Sequence, residues 1–355
     1  MDQCRMTDIA TARRSSRFWL YAPFIVIALL ALAWVGFWYV VRGRVAEAVD
    51  AALLREAGQG RTWTCTDRSL GGFPFRVELR CGSLALTSTR WGEAVKIQTG
   101  PSVAVGQIYS PGLVIAEITG PLQATLPEGR TLDLGWSRLE ASLQHSTTRP
   151  ERLSLVVTAP NAVLKAPGQA DEGWRAAELQ VHLRRNPTRP ETDQAVDLAL
   201  NAKASVLPAI DALLGTTEPG DVDLQATVNQ TLAFRLGFNP DALEIWRNAG
   251  GQLELTRLVS TKGAARVEAS GQLLLDQTHR LSGRIQAALA GIQQVAGIPI
   301  GGLASGLGGL LGGRLSAQLP GVAPGLTPLP PIVLREGRVY LGPIRLPLQP
   351  LPPLY

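Results

Sequence analysis

The sequence predicts a mainly β protein of the α+β class: one N-terminal transmembrane helix, then a large antiparallel β-sheet domain that is curved or groove-like. Three observations carry this expectation. The run Phe18–Val41 holds 24 residues without a charge. Beyond it, apolar and polar residues alternate with period two through most of 61–345, the mark of antiparallel strands with one face on a core. Helical spacing and helix-start signals are few by comparison.

At a rise of 1.5 Å per residue the apolar run makes about 36 Å of helix, enough to cross a hydrocarbon core of roughly 30 Å with some tilt. Its aromatic residues sit towards the ends, Trp19 and Tyr21 at one and Trp34, Trp38 and Tyr39 at the other, where amphipathic rings favour the membrane–water interface. A cleaved signal peptide would have a shorter apolar core and small residues at a cleavage site. Here Phe37-Trp38-Tyr39-Val40-Val41-Arg42 follows, so the expectation is an uncleaved anchor.

Residues 1–17 carry Arg5, Arg13, Arg14 and Arg17 against Asp2 and Asp8, a balance of +2. The whole chain is +5, which leaves +3 for the rest, too even for a protein that neutralises many phosphates. Nucleic acid is not an expected partner. Arg42, Arg44 and Arg55 follow the span, so counting positive charges barely chooses a side. Cysteine usage adds to the choice. Cys65 and Cys81 flank a predicted hairpin with 15 residues between them, and in an oxidising compartment such a pair reads as a disulfide. The alternative is two buried free thiols in a cytosolic domain. The disulfide reading places residues 1–17 in the cytoplasm, the span at 18–41 in the membrane, and the bulk on its outer, oxidising face.

Val45, Val49, Ala52, Leu53 and Ala57 recur at helical spacing, which predicts an amphipathic linker helix over 42–60 ended by Gly58 and Gly60. The β-rich domain then spans 61–345. Alternating segments include Phe75–Leu79, Leu179–Leu183, Val196–Leu200, Val222–Val228, Leu232–Phe238, Leu273–Leu275, Ile285–Leu289 and Val339–Leu341. Together they suggest one long curved sheet or two sheets. Asn239-Pro240-Asp241 is a helix start, with a capping Asn and Pro at the first helical position, and Gly250-Gly251 is its stop. Pro208–Leu214 reads as a short helix, and Gln286–Val295 as a helix competing with a strand. A Gly-rich loop is expected at 297–330. Within it Gly301, Ser305, Gly309 and Gly313 repeat every four residues, but glycine density disfavours a stable helix. Residues 346–355 are Pro-rich and expected to be extended.

No enzyme is expected. The three histidines, His145, His182 and His279, are widely separated. There is no paired Cys/His set for a metal and no phosphate-binding glycine loop, so no cofactor is predicted. Asp221 with Asp223, and Glu191 with Asp193, are two apart and read as solvated strand faces or loops; the alternative is a glycosidase-type carboxylate pair, which would make the protein a hydrolase of envelope glycans or lipids. A long apolar sheet face tethered to a membrane can hold acyl chains if it curves without closing; sealed by its own side chains, it is simply a core.

Gly71-Gly72-Phe73-Pro74-Phe75-Arg76, between the two cysteines and after an N-terminal anchor, resembles the signature of a bacterial family known as domain of unknown function 2125. Ile108-Tyr109-Ser110-Pro111, Val114-Ile115-Ala116 and Glu336-Gly337-Arg338-Val339-Tyr340-Leu341-Gly342-Pro343 are also similar to it. The family implies no catalytic residues; it implies a bacterial inner membrane around the anchor and a periplasmic location for the bulk. Gly271-Gln272-Leu273-Leu274-Leu275-Asp276 with Leu281-Ser282-Gly283-Arg284-Ile285 resembles the strand pairs of AsmA-like envelope proteins more weakly. That resemblance implies an open β-groove, membrane lipid as ligand and a role in envelope maintenance; the alternative reading is a scaffold that binds another envelope protein through a sheet edge. Read mechanically, Gly71-Gly72 permits a tight turn, Pro74 starts an edge strand, and Phe73 and Phe75 point to one face as anchors near the disulfide.

Overall fold

A computed structural model describes residues 18–91, 93–146, 150–208, 211, 216–291, 294–295, 298–299 and 325–355. The tail 1–17, most of Pro208–Leu214 and the glycine repeat 301–313 lie outside the described residues. The chain is mostly β, as the alternation predicts. Helix α1 runs unbroken from Phe18 to Gly58 over 41 residues, so the apolar run and the amphipathic segment are one rod. Its N-terminal part is long and apolar enough to cross a membrane.

Beyond α1, the described residues build a seven-stranded antiparallel sheet, a sixteen-stranded one and one small pair, Gln294–Val295 with Ile298–Pro299. From Arg61 to Arg185 the chain lays strands alternately into the two large sheets. The crossings Cys65 to Ser69, Cys81 to Leu84, Thr99 to Ser102, Ile118 to Leu122, Gly135 to Arg138, Thr158 to Asn161 and Arg175 to Glu178 have two or three residues between strands. Such links reach about 10 Å, the spacing of packed sheets. Because every pairing is antiparallel, all seven crossings fall at one end of the strands and the hairpin tips at the other. The sheets therefore meet along a seam and present their tips along an opposite rim.

The long sheet carries an apolar rank across fourteen strands. It runs Val77, Gly106, Val114, Leu143, Leu153, Leu183, Leu198, Ala226, Leu255, Gly271, Ile285, Ile332, Leu341 and Ile344, each beside the next. At about 4.8 Å per strand that is roughly 60 Å of contour. The short sheet opposes it with Trp63, Leu86, Ile97, Ala124, Leu132 and Leu164. The Cys65–Cys81 disulfide, Cα–Cα 5.2 Å, shows that these faces look at each other. Cys65 shares a face with Trp63, and Cys81 with Val77 and Leu79. At the far end of the short sheet, the Trp174 indole donates to Ser205 Oγ at 2.9 Å. The walls do not mesh into a filled core. No large side chain among the described residues is fully buried, and Leu153, in the middle of the rank, remains 37% exposed.

After Arg175 the short sheet ends and the long sheet continues alone. Residues 229–252, at the rim, fold over its apolar face. Helix α2, Pro240–Asn248, starts where the sequence predicts: Asn239 Oδ1 accepts from the Ala242 amide at 2.9 Å. Leu243 and Trp246 from α2 join Leu275 in a buried cluster, with Phe234 against it.

Two sequence expectations change. Leu232–Phe238 is not a strand: Thr231–Leu236 is a 3₁₀ helix, entered through Gln230 at φ 52° and left through Gly237 at φ 104°. The segment covers the sheet instead of extending it. The tighter turn lets Phe234 stack on Phe238 (5.6 Å) and lean on Trp246 (6.0 Å). Gln286–Ala290 is strand, paired along its length with Arg266–Ser270; no helix competes with it. The Pro-rich end is extended, as predicted, and docked: the amides of Leu351 and Leu354 donate to Gly337 and His279 carbonyls at 2.7 and 2.9 Å.

Candidate functional site

The rim-side stretch where the long sheet stands alone encloses a cavity of about 750 Å³, within the roughly 300–1,000 Å³ of small-ligand sites. Its floor is the apolar rank and the one beside it: Leu183, Leu198, Val196, Val228, Leu253 and Leu273. These are the inward positions of consecutive strands, so period-two alternation places them on one surface. Its roof is Leu232, Phe234, Phe238, Leu243 and Trp246, and Leu354 of the C-terminal tail closes one side. Gly251 makes room for the roof, since a Cβ there would lie 2.3 Å from the Trp246 indole. The indole N–H donates to the Asn229 carbonyl at 2.8 Å. Polar groups are few; Arg185, Glu191, Gln194, Thr231 and Arg235 are among them. Such a site suits a long apolar ligand with one polar end.

The C-terminal residue latches this roof. Tyr355 Oη donates to Glu244 Oε2 at 2.6 Å, and its ring stacks on His279 at 4.3 Å. Arg247 first, and Tyr355 next, hold the Glu244 carboxylate down at about 2. Burial, with the adjoining Glu244 carboxylate, pushes the Tyr355 phenol up to about 12. The signs follow by linkage. The depressed carboxylate contributes stability above its ordinary 4.5, lost as pH falls towards about 2. The raised phenol contributes below its ordinary 10.0, lost as pH rises towards about 12. In a tyrosinate absorbance titration, Tyr355→Phe is expected to remove one late-ionising step. A variant whose titration at high pH keeps the full wild-type amplitude would refute the latch.

The predicted motif residues lie elsewhere, at the N-terminal end of the rim. Gly71 closes the strand Ser69–Gly71. Gly72 has φ +100°, and a Cβ on it would lie 2.8 Å from the Arg76 carbonyl. Pro74 follows a cis bond inside the turn and does not start a strand, because the next strand begins at Arg76. Arg76 pairs with the buried Glu78 carboxylate at 2.6 Å. Phe73 and Phe75 do not pack near the disulfide, which lies at the seam. They pack on α1, with Phe73 edge-on to Trp38 at 5.4 Å and Phe75 against Trp34 at 5.9 Å. The indoles of Trp34 and Trp38 donate to the carbonyls of Pro74 and Arg76, both at 2.9 Å. The sequence signal was present, two tryptophans four apart on one helix face, but the span explained them as interface residues alone.

On the outer face of the long sheet, His182 lines a second, more polar hollow of about 670 Å³ with Arg152, Arg184 and Asp197. Asp197 is fully engaged by Arg184, Asn186 and Thr227 at 2.7–3.1 Å. Asp221 accepts from the Ala204 amide, and Glu191 pairs with Arg185. Asp221 and Glu191 are each tied to a neighbouring part of the chain in this way. Among the described residues no group of three or more His, Cys, Asp or Glu side chains is placed to hold a metal.

No curated protein and no solved structure matches the chain. One family model matches residues 38–350, described as an uncharacterized protein conserved in bacteria. The match begins at Trp38, the residue on which Phe73 packs, and runs to the docked C-terminal tail. The chain belongs to that family, domain of unknown function 2125.

Proposed function

We propose that this protein is a membrane-anchored lipid-binding protein of the bacterial envelope, holding acyl chains against the apolar face of its long sheet. The observation that carries the reading is the apolar rank across fourteen strands, partly exposed and roofed into a 750 Å³ cavity of mostly apolar lining. Lipid tails need such a lining and few polar contacts. Helix α1 is the anchor in this reading. The Cys65–Cys81 disulfide supports a periplasmic location, where such bonds persist. The role is binding or passing lipid, not catalysis. It agrees with the open groove implied by the AsmA-like strand pair, which forms the paired strands Ala265–Leu275 and Leu281–Ala290.

The test is uptake of a fluorescent acyl probe by the full chain in detergent, with mass spectrometry of co-purified lipid. Leu198 lies on the cavity floor. Leu198→Gln removes apolar contact worth about 1.5–3 kcal/mol, so probe affinity is expected to fall roughly ten- to hundredfold. Equal uptake by both proteins, or none by the wild type, would overturn the reading. A scaffold that recruits another envelope protein through the short sheet's edge at 172–174, ahead of the Arg175–Val206 bridge, predicts that second outcome.

A further inference from the structure

We propose that the Gly72–Phe75 turn and the neighbouring Tyr109 tip form a foot seated in the bilayer, so that the rim of the groove faces the membrane at its N-terminal end. The proposal rests on reading α1 as a membrane span.

The argument begins with helix length. Charges at Arg17 and Arg42 bound the apolar run, and a span takes about 20 residues. Counted forward from Phe18 it ends near Phe37; counted back from Val41 it starts near Ala22. Trp34 lies inside the span either way. Arg42 donates to the Leu70 carbonyl at 3.2 Å, while Pro74 and Phe75 touch Trp34. Trp34 is eight residues before Arg42, about 12 Å deeper along the helix. The turn must therefore enter the bilayer wherever its helix does.

Its chemistry fits that depth. Irregular backbone is tolerated in lipid only when its polar groups are satisfied. The carbonyl of Gly72 accepts from the Arg76 amide at 3.2 Å, and that of Phe75 from the Ile108 amide at 3.1 Å. The carbonyls of Pro74 and Arg76 take the two indole donors, and Pro74 has no N–H to satisfy. The outward surface is aromatic: Phe73 is 52% exposed, Phe75 58% and Tyr109 72%. In water these rings would waste apolar area; at a membrane interface they are favoured.

The test replaces Phe75 and Tyr109, one at a time, with the photocrosslinker p-benzoyl-phenylalanine in the full chain, in nanodiscs of phosphatidylcholine and phosphatidylglycerol. Leu29 serves as a control within the span. Thr119 serves as a control at the seam, ten residues and roughly 33 Å along the strand from Tyr109. Intact mass is expected to show lipid adducts at Phe75, Tyr109 and Leu29 and none above background at Thr119. Adducts at Leu29 with background at Phe75 and Tyr109 overturn the foot and leave the anchor standing. Background at Leu29 overturns the anchor itself.

Discussion

Trp246→Ala is expected to lower stability by about 3–5 kcal/mol, the usual cost of truncating a buried large aromatic. The residue is 7% exposed and sits between Leu243, Leu275 and Phe234. Truncation also leaves the Asn229 carbonyl without its indole donor, a further loss where water cannot replace it. Much of the roof over the cavity hangs on this one ring, because residues 229–252 cover the sheet without joining it. Denaturant unfolding of the full chain in detergent measures the loss. Limited proteolysis is expected to cut within 229–252 sooner in the variant. A loss under about 1 kcal/mol, with unchanged proteolysis, would show that the roof is held by something else.

Removing the disulfide, as Cys65→Ala with Cys81→Ala, is expected to cost about 3 kcal/mol in the chain-entropy model for a loop of this size. The bond joins the last residue of Arg61–Cys65 in the short sheet to the last residue of Arg76–Cys81 in the long one. It therefore ties the two walls at the N-terminal end of the seam. Reductant is expected to bring the wild type down to the level of the double variant and to leave the variant unchanged. A wild type whose thiols are shown to be reduced, yet which unfolds at the same denaturant concentration, would refute this contribution.

The strand faces are legible from alternation because side chains alternate across any strand. Leu179, Val181 and Leu183 point inward as read, and His182 outward. The start of α2 is legible because its cap is local: Asn239, Pro240 and Asp241 act within one turn. Leu232–Phe238 misleads for the same reason in reverse. Its alternation is real, but Gln230 and Gly237 adopt positive φ and turn the segment over the sheet, and tertiary packing on Trp246 outweighs strand propensity. Phe73 and Phe75 read as anchors, correctly in kind and wrongly in place. Their partners Trp34 and Trp38 lie on a helix that precedes the motif, and spacing within the motif carries no information about it.

The candidate cavity is the least legible part. Its floor comes from strands spread over Leu183–Leu281 and its side from Leu354. Each of those residues reads alone as ordinary core.

By itself the sequence determined what depends on near neighbours. That covers a helix long enough to span a bilayer, a run of antiparallel strands with one apolar face, the cap of α2 and the extended C-terminal tail. The tertiary structure decided what depends on distant pairing. Short links set the strands alternately into two walls, register aligned fourteen apolar positions into one rank, and the walls stopped short of meshing. The physical reason is that alternation fixes which way a side chain points, whereas register and sheet assignment are settled only when strands far apart in the chain meet.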